Sequence, residues 1–315
     1  MAHELVAEVW RGEFLESVHH GSVVVLAPDG TTRLSVGQPA AVAFPRSANK
    51  PFQALALVRA GYAERAELLA LACASHSGEH FHLDGVRRIL GRAGLDVDAL
   101  RCTPELPIGE HALHAHLAAG RGPEPITMNC SGKHAAMLAT CVVNGWSTAD
   151  YLDLDHPLQL AIRATVEECA SEPVGAVGVD GCGAPLFGIT LAGLARGFGR
   201  LASAAPGTDE HTVAHAMTTY PEWVGGTGRD VTRLMHGVPG AVAKDGAEGV
   251  FAIGLPDGSA AACKIADGAR RAQGVVLVAA LRALGVDAPA DLATVPVLGH
   301  GRTVGAVRPS AALTG

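Results

Sequence analysis

The sequence predicts an α+β fold: an antiparallel sheet from N- and C-terminal strands packed with helices, plus a helical block between them. Three observations carry this. Apolar, β-branched runs open the chain at residues 5–10 and 22–26. Similar runs return at residues 249–254 and 260–265, flanking the turn Pro256-Asp257-Gly258. The stretch between them has apolar residues at helical spacing.

Taken in order, the first two runs are strands of alternating or continuous apolar character, and Asp29-Gly30 marks a tight turn into a third at 31–36. A meander is the simplest arrangement. Next comes a helix with Pro51 in its first turn, where a missing N–H costs least. Phe52, Leu55 and Ala56 form its buried face. Val86, Ile89 and Leu90 mark a second helix, ended by Gly94. Met137, Leu138 and Cys141 mark a third, ended by Gly145, and Leu158, Ile162 and Val166 a fourth, started by Pro157. After the late hairpin a long apolar helix is expected over 270–284, then a closing strand over 304–307.

Length and composition narrow the class. With 315 residues, 48% hydrophobic and 17% charged, the chain can bury a large core, as one large domain or two joined lobes. A net charge of −7 argues against a nucleic-acid partner. No apolar stretch is long enough to span a bilayer, and the N-terminus lacks the basic and apolar regions of a secretory signal. Seven cysteines, an odd number with no C-x-x-C pair, point to a reducing, cytoplasmic setting.

The densest chemistry lies in FPRSANKPF, residues 44–52. Ser47 and Lys50 stand three apart, and on a helix such residues share a face. The amine is therefore expected to reach the hydroxyl, which needs a base to become a nucleophile. The same spacing opens the active sites of penicillin-recognising serine enzymes. In CASHSGE, residues 73–79, Ser75 or Ser77 offers a second hydroxyl. In MNCSGKH, residues 128–134, a thiol and two basic residues open a helix, where the dipole lowers a thiol pKa. The first glycine of a phosphate loop is missing there, which excludes nucleotide binding.

Two glycine-rich segments follow. VDGCGAP, residues 179–185, lets backbone approach a ligand, with Asp180 suited to an amine and Cys182 to a metal. Its spacing from Cys130 gives no zinc signature. In VGGTGRD, residues 224–230, Arg229 offers a fork for a carboxylate, and Lys244 further on is placed near an oxyanion. His111, His114 and His116 do not share one helical face and read as surface.

Together PRSANKP, ASHSGE, NCSGKH, GCGAP and GGTGR resemble the bacterial asparaginase II family of the rhizobial inducible type, over nearly the whole chain. The resemblance implies a single asparaginase II-like domain over residues 1–315 with two lobes, similar to the serine β-lactamase and penicillin-binding protein fold. It implies hydrolysis of L-asparagine, with Ser47 matching the nucleophile, Lys50 its partner and Ser75, ahead of Ser77, a second active-site hydroxyl. It implies a zinc held by Cys130, Lys133 and Cys182, with Asp180 and His134 beside it. Arg46, His134, Asp180, Arg229 and Lys244 are then the expected substrate-binding residues, and a homodimer the expected assembly. The sequence departs from the family pattern at His80, where proline is expected. Two alternatives stand beside this reading: a related serine hydrolase acting on glutamine or β-lactams, and a non-catalytic amino-acid or zinc-binding module.

Overall fold

A computed structural model describes residues 3–314. It has the α+β architecture expected, with eleven strands and eleven α-helices among the described residues. The N-terminal strands are β1 (Glu4–Arg11), β2 (Phe14–Leu26), β3 (Thr32–Val36) and β4 (Val42–Ala43). In the middle lie β5 (Ala176–Val179) and β6 (Pro185–Thr190). The C-terminal strands are β7 (Val242–Asp245), β8 (Val250–Gly254), β9 (Ala260–Ile265), β10 (Val295–Gly299) and β11 (Arg302–Pro309).

Eight of these form one antiparallel sheet in the order β10-β11-β1-β2-β9-β8-β7, with β3 also on β2. Strand β2 is the hub. Its first part pairs with β1, and its second part pairs with β9 and β3. The sequence reading started this strand eight residues late, at Ser22. The polar residues Glu16, Ser17, His19 and His20 mask its first half, which lies toward solvent except at His19. Strand β10 also escaped the reading. A separate three-stranded sheet, β4-β6-β5, carries the middle loops.

The helices are α1 (Lys50–Arg59), α2 (Glu67–Ala72), α3 (His80–Arg92), α4 (Glu110–Ala118), α5 (Ser131–Asn144) and α6 (Pro157–Ala170), then α7 (Leu191–Ala202), α8 (Asp209–Thr219), α9 (Pro221–Val224), α10 (Asp230–Gly237) and α11 (Arg270–Arg282). Both α7 and α11 pack on β8 and β9, whose residues are almost all buried, so the sheet centre is covered on its two faces. Helix α1 is buried from Lys50 to Val58 and contacts α5, α6 and α8. Phe52, Leu55 and Ala56 are thus part of a wholly enclosed helix rather than of one buried stripe. Pro51 sits in its first turn as expected. No helix among the described residues is long and apolar enough to cross a membrane.

Two local readings change. His116 is buried and bonds the Gly122 carbonyl, so only His111 and His114 of that trio lie on the surface. His80, the departure from pattern, opens α3 and pairs with Asp84 one turn on at 3.1 Å, so the helix start tolerates it.

Candidate active site

Four segments converge where the two sheets and the helical block meet. Strand β4 leads into a 3-10 turn, Arg46–Asn49, which runs directly into α1. Arg46 has φ +52°, a left-handed conformation that non-glycine residues avoid and that costs about 1–3 kcal/mol. Its side chain anchors it: Nε donates to Asp180 Oδ1 at 2.7 Å. Gly246, just after β7, packs beneath this turn, and a Cβ there would lie 2.6 Å from the Pro45 carbonyl oxygen. Only glycine leaves the turn that carries Ser47 in place.

The second segment, residues 73–79, joins α2 to α3 and is held at both sides. Ser75 N donates to Val224 O, and His76 N to Asn129 O, each at 3.0 Å. This brings Ser75 over α1. Lys50 Nζ donates to Ala74 O at 2.6 Å and to Ser75 Oγ at 3.0 Å. Among the described residues Lys50 makes its side-chain hydrogen bonds with this segment, and the Ser47 hydroxyl has no protein partner. Ser77 turns elsewhere and donates to Gly225 O at 3.0 Å. Gly226 lies so close over Ser77 that a side chain there would collide with its hydroxyl.

Ser47 and Ser75 line one cavity of about 280 Å³, together with Asn129, Arg229, Asp245 and Arg270. A roomier cavity of about 420 Å³ contains Ser77, Glu79, His111 and His114. It has no lysine beside a hydroxyl, so the smaller cavity is the candidate site.

Asp245 lines the cavity, and Lys244 is buried against it. Lys244 Nζ is fully buried and donates to Asp245 Oδ1 at 2.7 Å, while Arg229 and Arg270 each donate to Asp245 Oδ2 at 3.1 Å. Burial pushes the Lys244 ammonium down to about 8, with Asp245 opposing and the Lys50 charge adding. Burial also acts on the Asp245 carboxyl, upward, but Lys244 and Arg229 outweigh it and hold the group well below the usual carboxylate range.

The third and fourth segments form a sulfur-rich cluster beside the cavity. Cys130 is the N-cap of α5, with Lys133 and His134 in the first turn. Cys182 sits in the turn between β5 and β6 that Asp180 opens, where Gly183 N donates to Asp180 O. Lys133 Nζ donates to Cys182 Sγ at 3.1 Å, and Asp180 Oδ2 lies 3.9 Å from the same sulfur. A hydrogen bond with Cys130, aided by Lys133 against burial, brings the Cys182 thiol down to about 5. The same bond and burial raise Cys130 to about 12. No group of three or more His, Cys, Asp or Glu among the described residues is arranged to hold a metal ion. The donors that converge are two sulfurs and one amine.

Of the residues read from sequence, Ser47, Ser75 and Arg229 line the cavity, with Lys50 bonded to Ser75 and Lys244 bonded to Asp245. Arg46, Asp180, Cys130, Lys133 and Cys182 meet in the adjoining cluster, and Arg46-Ser47 and Asn129-Cys130 join the two as sequence neighbours. Asn129, Asp245 and Arg270 on the cavity wall were missed. A Lys-Asp pair inside an otherwise apolar strand was the signal for Asp245, because two adjacent charges are buried only when paired. Arg270 and Asn129 carried no such mark.

Among curated proteins no sequence matches this chain. The family model for L-asparaginase II matches residues 7–309. The five motifs that meet at this site lie inside that span, so the chain belongs to the L-asparaginase II family and is an L-asparaginase enzyme.

Proposed function

We propose that the cavity hydrolyses the side-chain amide of L-asparagine to L-aspartate and ammonia through an ester on Ser47. The observation that carries this is the shared cavity of Ser47 and Ser75, with the Lys50 amine bonded to Ser75 and Arg229 in the wall. Ser47 Oγ attacks the amide carbon, and its proton passes by way of the Ser75 hydroxyl, which in turn gives its own proton to the Lys50 amine. The tetrahedral intermediate collapses, the proton goes to the leaving nitrogen, and ammonia departs. Water then attacks the β-aspartyl ester, with the same amine as base, and releases aspartate. Ser75 bridges Lys50 to the cavity, and Lys244, buried against Asp245, would favour the oxyanion only through its charge. Arg229 and Asp180 suit the α-carboxylate and α-amino groups, with Arg46 and His134 beside them.

Zinc belongs to the same reading. Two sulfurs and an amine, buried and in contact, are a donor set that suits it. Cys130, Cys182 and Lys133 would hold the ion, with Lys133 giving up its proton, and the bound charge would help orient the substrate.

The antiparallel sheet, its covering helices and the Ser-Lys turn at the head of α1 support a likeness to the serine β-lactamase and penicillin-binding protein fold. One continuous core supports reading residues 1–315 as a single two-lobed domain. Seven free cysteines suit a cytoplasmic enzyme. Exposed Val42, Phe44, Val177 and Val179 offer the small sheet as a face for a homodimer.

The test is ammonia release from L-asparagine by Ser47→Ala, with L-glutamine and a chromogenic β-lactam assayed beside it. Near-complete loss on asparagine in a folded variant is expected. Retained release would refute Ser47 as nucleophile, and a preference for either other substrate would reassign the specificity.

A further inference from the structure

The turn between β7 and β8, residues 246–249, carries a side chain where the backbone favours none. Gly249 has φ +72°, a conformation that glycine adopts freely. Glu248 beside it is also left-handed, with φ +56°, although glycine would fit there with less strain. The backbone is pinned in that form. Lys264 Nζ donates to the Glu248 and Ile265 carbonyls, and Ile265 N donates to Gly249 O at 2.9 Å. Strain of this kind persists where a side chain is needed at one place.

The fold makes little use of that side chain. The Glu248 carboxylate is 63% exposed, and among the described residues it accepts no hydrogen bond. Its ion pair is a long one, with Arg46 Nη1 3.9 Å from Oε1. Arg46 gives its short bond to Asp180 instead.

The place is the wall of the cavity that holds Ser47 and Ser75. Glu248 lines it, and so does Gly268, where a Cβ would lie 3.0 Å from Glu248 Oε2. The other carboxylate in that wall is Asp245, which is already bonded to Lys244, Arg229 and Arg270. Asp180 is outside the wall, and its Oδ1 accepts from both Arg46 Nε and Gly181 N. Among the described residues Glu248 therefore brings the cavity its one carboxylate with open acceptor positions. A primary ammonium group carries three donors to fill them.

We propose that Glu248 is a specificity-determining residue that binds the α-ammonium group of the substrate at the cavity wall, beside the turn that carries Ser47. The substrate class is an α-amino acid amide with its amine free. Arg229 in the same wall suits the carboxylate, so a zwitterion meets both signs of charge in one cavity. An amide without the amine leaves Glu248 unused. The proposal rests on the asparagine-hydrolysis reading and adds to it a carboxylate in direct reach of the cavity, with Asp180 acting behind it through Arg46.

The experiment compares L-asparagine with succinamate, the same amide without its amine, on the full chain and on Glu248→Gln. Ammonia release should show KM for asparagine raised about fivefold with kcat little changed, the size that a partly solvated ion pair allows. The inhibition constant of succinamate against asparagine should not move. An unchanged KM for asparagine overturns the proposal, and so does an equal loss on both ligands, which would mark a merely structural glutamate. Glu248→Gly removes the side chain and relieves the backbone. It is expected to repeat the loss on asparagine without lowering the melting temperature, and a lower melting temperature with losses on both ligands again overturns the proposal. Calorimetry on Ser47→Ala chain needs no turnover. Asparagine should bind about fivefold more weakly once Glu248→Gln is added, and succinamate equally with or without it. If wild-type chain releases no ammonia from asparagine, the hydrolysis reading fails while these affinities still decide what holds the amine. A Ser47→Ala chain that binds neither ligand overturns both.

Discussion

Lys50 Nζ donates to Ser75 Oγ at 3.0 Å, across 25 residues of chain, and to the carbonyl of the residue before it. The buried amine is thereby fixed at the floor of the cavity instead of being free to swing. Its position depends on Ser75, and so does its action on Ser47. Ser75→Ala is expected to lower kcat for asparagine by about 10²-fold, within the range for losing positioned acid–base help. Lys50→Met should lose at least as much. Steady-state ammonia release checks both, and an unimpaired Ser75→Ala enzyme would remove Ser75 from the proton path.

The Lys244–Asp245 pair gives two pH signatures in stability, one in alkali and one in acid, both rising with pH. Lys244 is depressed from 10.5 to about 8 in the folded chain. Between those values the unfolded chain binds more protons, so stability rises with pH across that window. Urea unfolding of Lys244→Met should lack the rise. Asp245 is depressed below its ordinary 3.8, so its contribution is complete above that value and is lost as pH falls toward the folded value.

Asp245→Asn leaves Lys244 buried with no carboxylate, while Arg229 and Arg270 lose their shared acceptor. A loss of about 3–5 kcal/mol at neutral pH is expected from breaking such a pair. Denaturant midpoints across pH should show the gap to wild type narrowing in strong acid, and again above about pH 8 as Lys244 loses its charge.

Gly197 on α7 faces the Phe52 ring of α1 so closely that a methyl group would collide with it. Gly197→Ala should destabilise by about 1–3 kcal/mol through overpacking. Because Phe52 lies two residues from Lys50, activity should fall together with the melting temperature. An alanine variant of unchanged stability would mean that α1 has room to shift.

The sulfur cluster is expected to carry about one zinc per chain when purified without chelator. Elemental analysis should show Cys182→Ser and Cys130→Ser losing most of it. Metal well below stoichiometry, with Cys130 freely alkylated, would take zinc out of the site.

Much of the site was legible because its residues are compressed into short motifs. Pro51 marked the start of α1, Gly145 closed α5 with φ +65°, and the Asp257-Gly258 turn gave the β8–β9 hairpin. What stayed hidden depends on long-range pairing. Lys50 was expected to serve Ser47 through helical spacing, yet the 3-10 turn ends before α1 begins and the amine reaches Ser75 instead. Lys133 and Cys182 meet across 49 residues, which no spacing rule anticipates. The first half of β2 was lost because its exposed polar residues blur a period of two. His116 looked like surface because three histidines were judged as a group.

The thirteen-residue β2 joins the beginning and the end of the chain, since β1 next to it pairs with β11 and its own far half with β9. During synthesis the first strands leave the ribosome more than two hundred residues ahead of the partners that complete their sheet. Until then their apolar edges have only each other to bond, and a nascent chain of this kind invites mispairing with its neighbours. Sheet closure is therefore a late event in synthesis. Productive yield should follow holding chaperones more closely than it follows the stability of the finished enzyme.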